Sequence, residues 1–85
     1  MATVYYSLAI SEEALDQLRA LPKEWRKRIG KRMSELQNNL AGDLKKLAAA
    51  EKKYRLRVGS YRVLFRLEGN QISVYGVKDR KEAYE

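Results

Sequence analysis

An α+β fold is predicted, with a two-helix N-terminal hairpin packed on a mostly antiparallel four-stranded sheet, for three reasons. Apolar residues recur at a period of two near the N-terminus, at helical spacing through the middle, and at a period of two again from residue 53. Pro22 divides the helical stretch, and the dipeptides Gly59-Ser60 and Gly69-Asn70 divide the last alternating stretch into three runs.

Residues 3–10 (TVYYSLAI) are β-branched and aromatic, with Val4, Tyr6, Leu8 and Ile10 on one side of the alternation, which predicts a first strand. Ser11 then offers an oxygen to the free amides of a helix start. Glu12 and Glu13 place acids where the helix dipole favours them. Ala14, Leu15, Leu18 and Leu21 continue this first helix up to Pro22, which ends one ladder and suits the first turn of the next. Trp25, Ile29, Met33, Leu36 and Leu40 form a single core-facing stripe on the second helix. Asn38, Asn39 and Gly42 tolerate the left-handed conformations that end helices, and Asp43 to Glu51 reads as a connection with an extra turn.

Two-residue loops at Gly59-Ser60 and Gly69-Asn70 imply a register. Residue i of the middle strand faces 119 minus i on one side and 139 minus i on the other. Tyr54, Leu56, Val58, Tyr61, Val63, Phe65, Leu67, Ile72, Val74 and Gly76 then share the face that meets the helices. Lys53, Arg55, Arg57, Arg62, Leu64, Arg66, Ser73, Tyr75 and Val77 share the other.

Composition narrows the chemistry. Eighty-five residues, 45% apolar and 34% charged, make one domain over 1–85. No apolar run reaches the roughly 18 residues of a membrane-spanning helix, and the N-terminus lacks a secretion-signal pattern, so a cytoplasmic location is expected. The absence of Cys and His removes thiolate nucleophiles, the usual zinc ligands and the usual neutral-pH proton shuttle, and neither a metal nor a cofactor is expected. Eighteen Lys and Arg against 11 Asp and Glu leave a formal charge of +7, which suits a polyanionic partner.

That charge is concentrated. Residues 19–32 hold seven bases against Glu24, and residues 45–66 hold eight against Glu51. The predicted register sets Arg57 opposite Arg62 and Lys53 opposite Arg66, like-charge pairs that each cost on the order of 0.2–1 kcal/mol. A wet sheet face kept soluble by bases is one explanation; an anion site is the other. The preference for Arg favours the anion site, because its planar fork matches paired phosphate oxygens, and Tyr75 and Tyr84 add surfaces on which a base could stack. The basic exterior of the second helix (Arg26, Lys27, Arg28, Lys31, Arg32) admits the same two readings, while Trp25 reads as a core anchor.

The string Tyr54-Arg55-Leu56-Arg57-Val58-Gly59-Ser60-Tyr61-Arg62-Val63-Leu64-Phe65 resembles the YRLRVGDYRVxY signature of the RelE/ParE superfamily of bacterial toxins. The likeness spans nearly the whole chain. It includes Leu21-Pro22-Lys23, the segment Gly42-Asp43-Leu44-Lys45-Lys46-Leu47, and an ending from Val77 to Tyr84 similar to the family's VxHRREVY. The implied fold is like that of the microbial ribonucleases. RelE-like members are ribosome-dependent messenger RNA endonucleases, whereas ParE-like members poison DNA gyrase.

By position, Arg62 matches the family's phosphate-stabilising arginine, Arg55 and Arg57 its basic pair at the scissile phosphate, and Tyr84 its catalytic tyrosine. Lys78 falls where an arginine is usual. Asp79 stands in place of a common His and reads either as a base or as an ion-pair partner of Arg80 or Lys81. Lys45, Lys46, Lys53, Arg66, Tyr75 and Arg80 complete the expected RNA-binding set. The resemblance also implies a cognate antitoxin, acidic and partly disordered, with operator DNA bound only through the joint complex, the ribosome and mRNA as targets, and no membrane. Arg62→Ala is expected to remove function while leaving the fold intact or steadier.

Overall fold

The computed structural model describes residues 4–42, 44–48 and 52–79. Seven elements follow in order: β1 (Ser7–Ile10), α1 (Glu12–Arg19), α2 (Lys23–Leu36), β2 (Leu44–Ala48), β3 (Lys53–Val58), β4 (Tyr61–Glu68) and β5 (Gln71–Asp79). Ser11 makes the turn from β1 into α1. Its backbone is extended and its Oγ accepts a hydrogen bond from the Ala14 amide at 3.1 Å, satisfying one of the free donors of the first turn. Pro22 caps α2 without a side-chain bond, and its carbonyl receives the Arg26 amide at 3.0 Å.

α2 ends at Leu36, one turn earlier than the stripe to Leu40 predicts. Backbone from the N-terminal segment competes for its end. The Tyr6 amide donates to the Gln37 carbonyl, the Gln37 amide group donates to the Tyr6 carbonyl, and Asn39 exchanges hydrogen bonds with Val4. Asn39 and Gly42 take positive φ, as their residue types allow, and Leu40 does so as well. For Leu40 this conformation costs about 1–2 kcal/mol, offset by packing its side chain against the core.

The sheet has five strands in the order β1-β5-β4-β3-β2, with β1 parallel to β5 and every other pair antiparallel. The four-strand expectation is therefore corrected. Leu44-Lys45-Lys46-Leu47 has no strand alternation of its own, and it becomes β2 by pairing with the edge of β3, which sets Leu44 opposite Leu56. The helical hairpin also differs in detail: α1 packs on β5 and α2 against β3, rather than chiefly on each other.

Both helices cover the same face of the sheet. Ala14, Ile29, Met33 and Leu36 from the helices meet Leu56, Val58, Val63, Phe65, Ile72, Val74 and Val77 in one buried cluster. Each large aliphatic or aromatic side chain fully buried there contributes about 1.5–3 kcal/mol. Trp25 is half-buried at the edge of this layer, its ring edge-on to Tyr61 with centroids 4.9 Å apart. It rests directly on Gly59, where φ is +58° and a Cβ would lie 2.5 Å from the indole, so both the turn and the approach of the ring require glycine. None of the helices among the described residues is long and apolar enough to cross a membrane.

Candidate nucleic-acid interface

The face of the sheet away from the helices is built by the register. Between β3 and β4 the pairing follows the predicted rule throughout, with Lys53 opposite Arg66, Arg55 opposite Leu64 and Arg57 opposite Arg62. Between β4 and β5 the rule holds from Phe65–Val74 to Leu67–Ile72 and then slips by one, so that Leu64 faces Gly76, Val63 faces Val77 and Arg62 faces Lys78. Tyr75 is the extra residue of this β-bulge.

The bulge reverses the alternation beyond it. Val77 turns into the core, where it is 5% exposed, and Gly76 joins the open face; both placements correct the expected ones. Lys78 turns with Gly76 and extends a row of three cations, Arg57, Arg62 and Lys78, across β3, β4 and β5. The Val77 amide, displaced from the regular ladder, donates to Gln17 Oε1 of α1 at 2.7 Å. Gln17 is a contributor that sequence reasoning missed. A polar residue at a helical position that also carries apolar neighbours was the available signal.

Arg62 sits at the centre of the row and is buried, with 9% of its surface exposed. Its Nη1 donates to the carbonyls of Gly59 and Tyr61 at 3.1 and 3.0 Å, tying the guanidinium to the β3–β4 turn. The group is thus fixed before any ligand arrives, which reduces the ordering cost of binding. Arg57 is exposed beside it, and Lys78 is half-buried.

Next along the face, Lys45 lies opposite Arg55, which lies opposite Leu64. Arg55 is half-buried, and its Nε is buried without a hydrogen-bond partner. The third row holds Lys53 and Arg66, both close to Tyr75: the Lys53 Nζ is 5.9 Å and the Arg66 Cζ 5.5 Å from the ring centroid. The ring's negative face offsets part of the repulsion between the two cations, by about 0.5–1 kcal/mol for each exposed cation.

The structure therefore brings Arg55, Arg57, Arg62, Lys78, Lys45, Lys53, Arg66 and Tyr75 to one face. Lys46 departs from this set. It is paired with Tyr54 on the helix-bearing side and its Nζ lies 5.9 Å from the Tyr54 ring, which in turn stacks on Phe65. Asp79 closes β5 opposite Tyr61. Arg80, Lys81 and Tyr84 lie outside the described residues.

A layer of two helices on one side of a five-stranded sheet is also the build of known RelE proteins. The chain is 31% identical to a chain of the RelB–RelE antitoxin–toxin complex from Methanococcus jannaschii, with a TM-score of 0.75 over 89% of this chain and 94% of that one. It is 25% identical to a chain of the RelE–RelB complex from Pyrococcus horikoshii OT3, with a TM-score of 0.80 over 93% of this chain and 99% of that one. A chain of the RelBE2 complex from Mycobacterium tuberculosis, 21% identical, shares the fold with a TM-score of 0.78 over 91% of this chain and 100% of that one. No curated protein matches the chain. The family model for the ParE toxin of the type II toxin-antitoxin system parDE matches residues 8–84. The chain belongs to this family and is a toxin of the RelE/ParE superfamily.

Proposed function

We propose that this toxin is a ribosome-dependent messenger RNA endonuclease of the RelE kind, working through its cationic sheet face. The observation that carries the reading is the row Arg57–Arg62–Lys78, with Arg62 buried and tied to the turn. Three cations across adjacent strands, the central one held in place, fit a phosphate on which charge builds during in-line displacement. In that reaction the ribose 2′-oxygen attacks its own 3′ phosphate, the 5′-oxygen of the next nucleotide leaves, and a cyclic phosphate remains. Arg62 and Arg57 stabilise the nonbridging oxygens, Arg55 and Lys78 flank them, and Tyr84 acts on the leaving group or stacks a base. Tyr75, framed by Lys53 and Arg66, provides the stacking surface for a neighbouring base. Lys45 and Arg80 extend the grip on the RNA backbone.

The regulator is a cognate antitoxin with an acidic, partly disordered segment that covers this face. The RelB–RelE complexes from Methanococcus jannaschii and Pyrococcus horikoshii OT3 support that partner, as does the complementarity of an acidic peptide to the face. Operator DNA is bound through that complex. A second reading, gyrase inhibition by binding alone, has the match to the ParE model in its favour.

The two readings part in one experiment. Added to a purified translating ribosome mixture, the full chain is expected to cut mRNA, leaving cyclic-phosphate ends, and to leave gyrase supercoiling unaffected. Intact transcripts together with inhibited supercoiling would establish the gyrase reading instead.

A further inference from the structure

A cleft of about 530 Å³ lies between α2 and the end of β3. Arg28, Lys31 and Arg32 of α2 and Arg57 of β3 line it, over a floor that includes Trp25 and Gly59. We infer that this cleft is a second RNA-backbone site, holding phosphates of a single strand that also crosses the open sheet face.

Charge is the first argument. Four cations line the cleft against one carboxylate, Glu35, whose charge is matched by Arg32 at 3.8 Å. Arg28 and Arg32 are spaced i and i+4, where like charges destabilise a helix by about 0.2–0.5 kcal/mol, and folding derives no benefit from the pair. The Arg28 Cζ lies over the Trp25 ring, 5.1 Å from its centroid, a cation–π contact that holds the guanidinium at the cleft.

Continuity is the second argument. Arg57 lines the cleft and is also the first member of the row on the open face, in register with Arg62. Arg57 is therefore the residue shared by the Arg57–Arg62–Lys78 row and the α2 cleft. The choice of RNA as the occupant rests on the RNA reading of the open face. A strand held at both places is longer than the few nucleotides a sheet face alone can hold, so part of the affinity comes from nucleotides away from the reacting phosphate.

Trp25 is the only tryptophan in the chain, so its emission reports on the cleft directly. The test titrates the full chain with a fluorescein-labelled, mixed-sequence single-stranded RNA, following anisotropy and Trp25 emission together. A saturable change in Trp25 emission that tracks the anisotropy is expected. In the Arg28→Ala, Lys31→Ala, Arg32→Ala variant that change disappears and the slope of log affinity against log salt falls by about 2, at roughly 0.7 for each phosphate no longer neutralised. If the variant fails to fold, the response of the unaltered chain decides. Absence of RNA binding, binding that leaves Trp25 emission unchanged, or a polyglutamate peptide giving the same response at lower concentration would overturn the inference. Failure to cut mRNA on ribosomes, with the Trp25 response intact, would remove the endonuclease reading and leave the cleft assignment standing.

Discussion

Arg62 carries two opposing contributions, and their magnitudes decide what its removal does. Its charge faces Arg57 on one side and Lys78 on the other, which costs on the order of 0.2–1 kcal/mol per pair. Against this stand its hydrogen bonds to the Gly59 and Tyr61 carbonyls, at about 1.5–3 kcal/mol for a bond from a charged donor. The bonds outweigh the repulsion, so Arg62→Ala is expected to destabilise the fold. This revises the expectation, reached from the cross-strand pairing alone, that the substitution is harmless or steadying. Thermal unfolding tests it: a net loss of about 1 kcal/mol lowers Tm by about 4–8 °C in a domain of this size, and an unchanged or raised Tm would show that repulsion dominates.

At the scale of elements, the bulge in β5 and its support from α1 decide where Lys78 lies. Gln17 supplies the acceptor that the Val77 amide loses when the register slips. Gln17→Leu should cost about 1–3 kcal/mol, the penalty of an unsatisfied buried donor, and speed hydrogen exchange at the Val77 amide. Gln17→Glu keeps an acceptor and should recover most of the protection; equal exchange in both variants would count against the bond. The same elements show what was legible beforehand. The β3–β4 register followed from two glycine-led loops and strict alternation, and it was met residue for residue. The bulge left no trace in the alternation of residues 71–77, because a one-residue slip depends on which of Val77 and Gly76 packs better against α1. β2 was equally hidden, since Leu44 to Leu47 pairs with β3 through tertiary structure rather than through its own pattern. Side-chain periodicity could assign Arg62 to a face, but its burial comes from the turn carbonyls that it caps.

For the whole molecule, the +7 charge is gathered on two surfaces, the open face of the sheet and the exterior of α2. RNA affinity should therefore fall steeply with salt. Arg57→Ala, at the junction of the sheet face and the α2 cleft, should make that slope shallower by about 0.7 while raising stability by a few tenths of a kcal/mol through relief of the pair with Arg62. A slope unchanged by this substitution in a salt titration would place Arg57 outside the bound strand. The sheet's connectivity has a consequence for when the protein becomes harmful. β1, made first, can find its partner only after β5 has been synthesised, and the cation row is incomplete without Lys78 from that same strand. At about 5–20 residues per second, a nascent chain spends seconds with this cation row unassembled. On the proposed reading, the cell is spared by topology until β5 emerges, an interval in which newly made antitoxin can already be waiting.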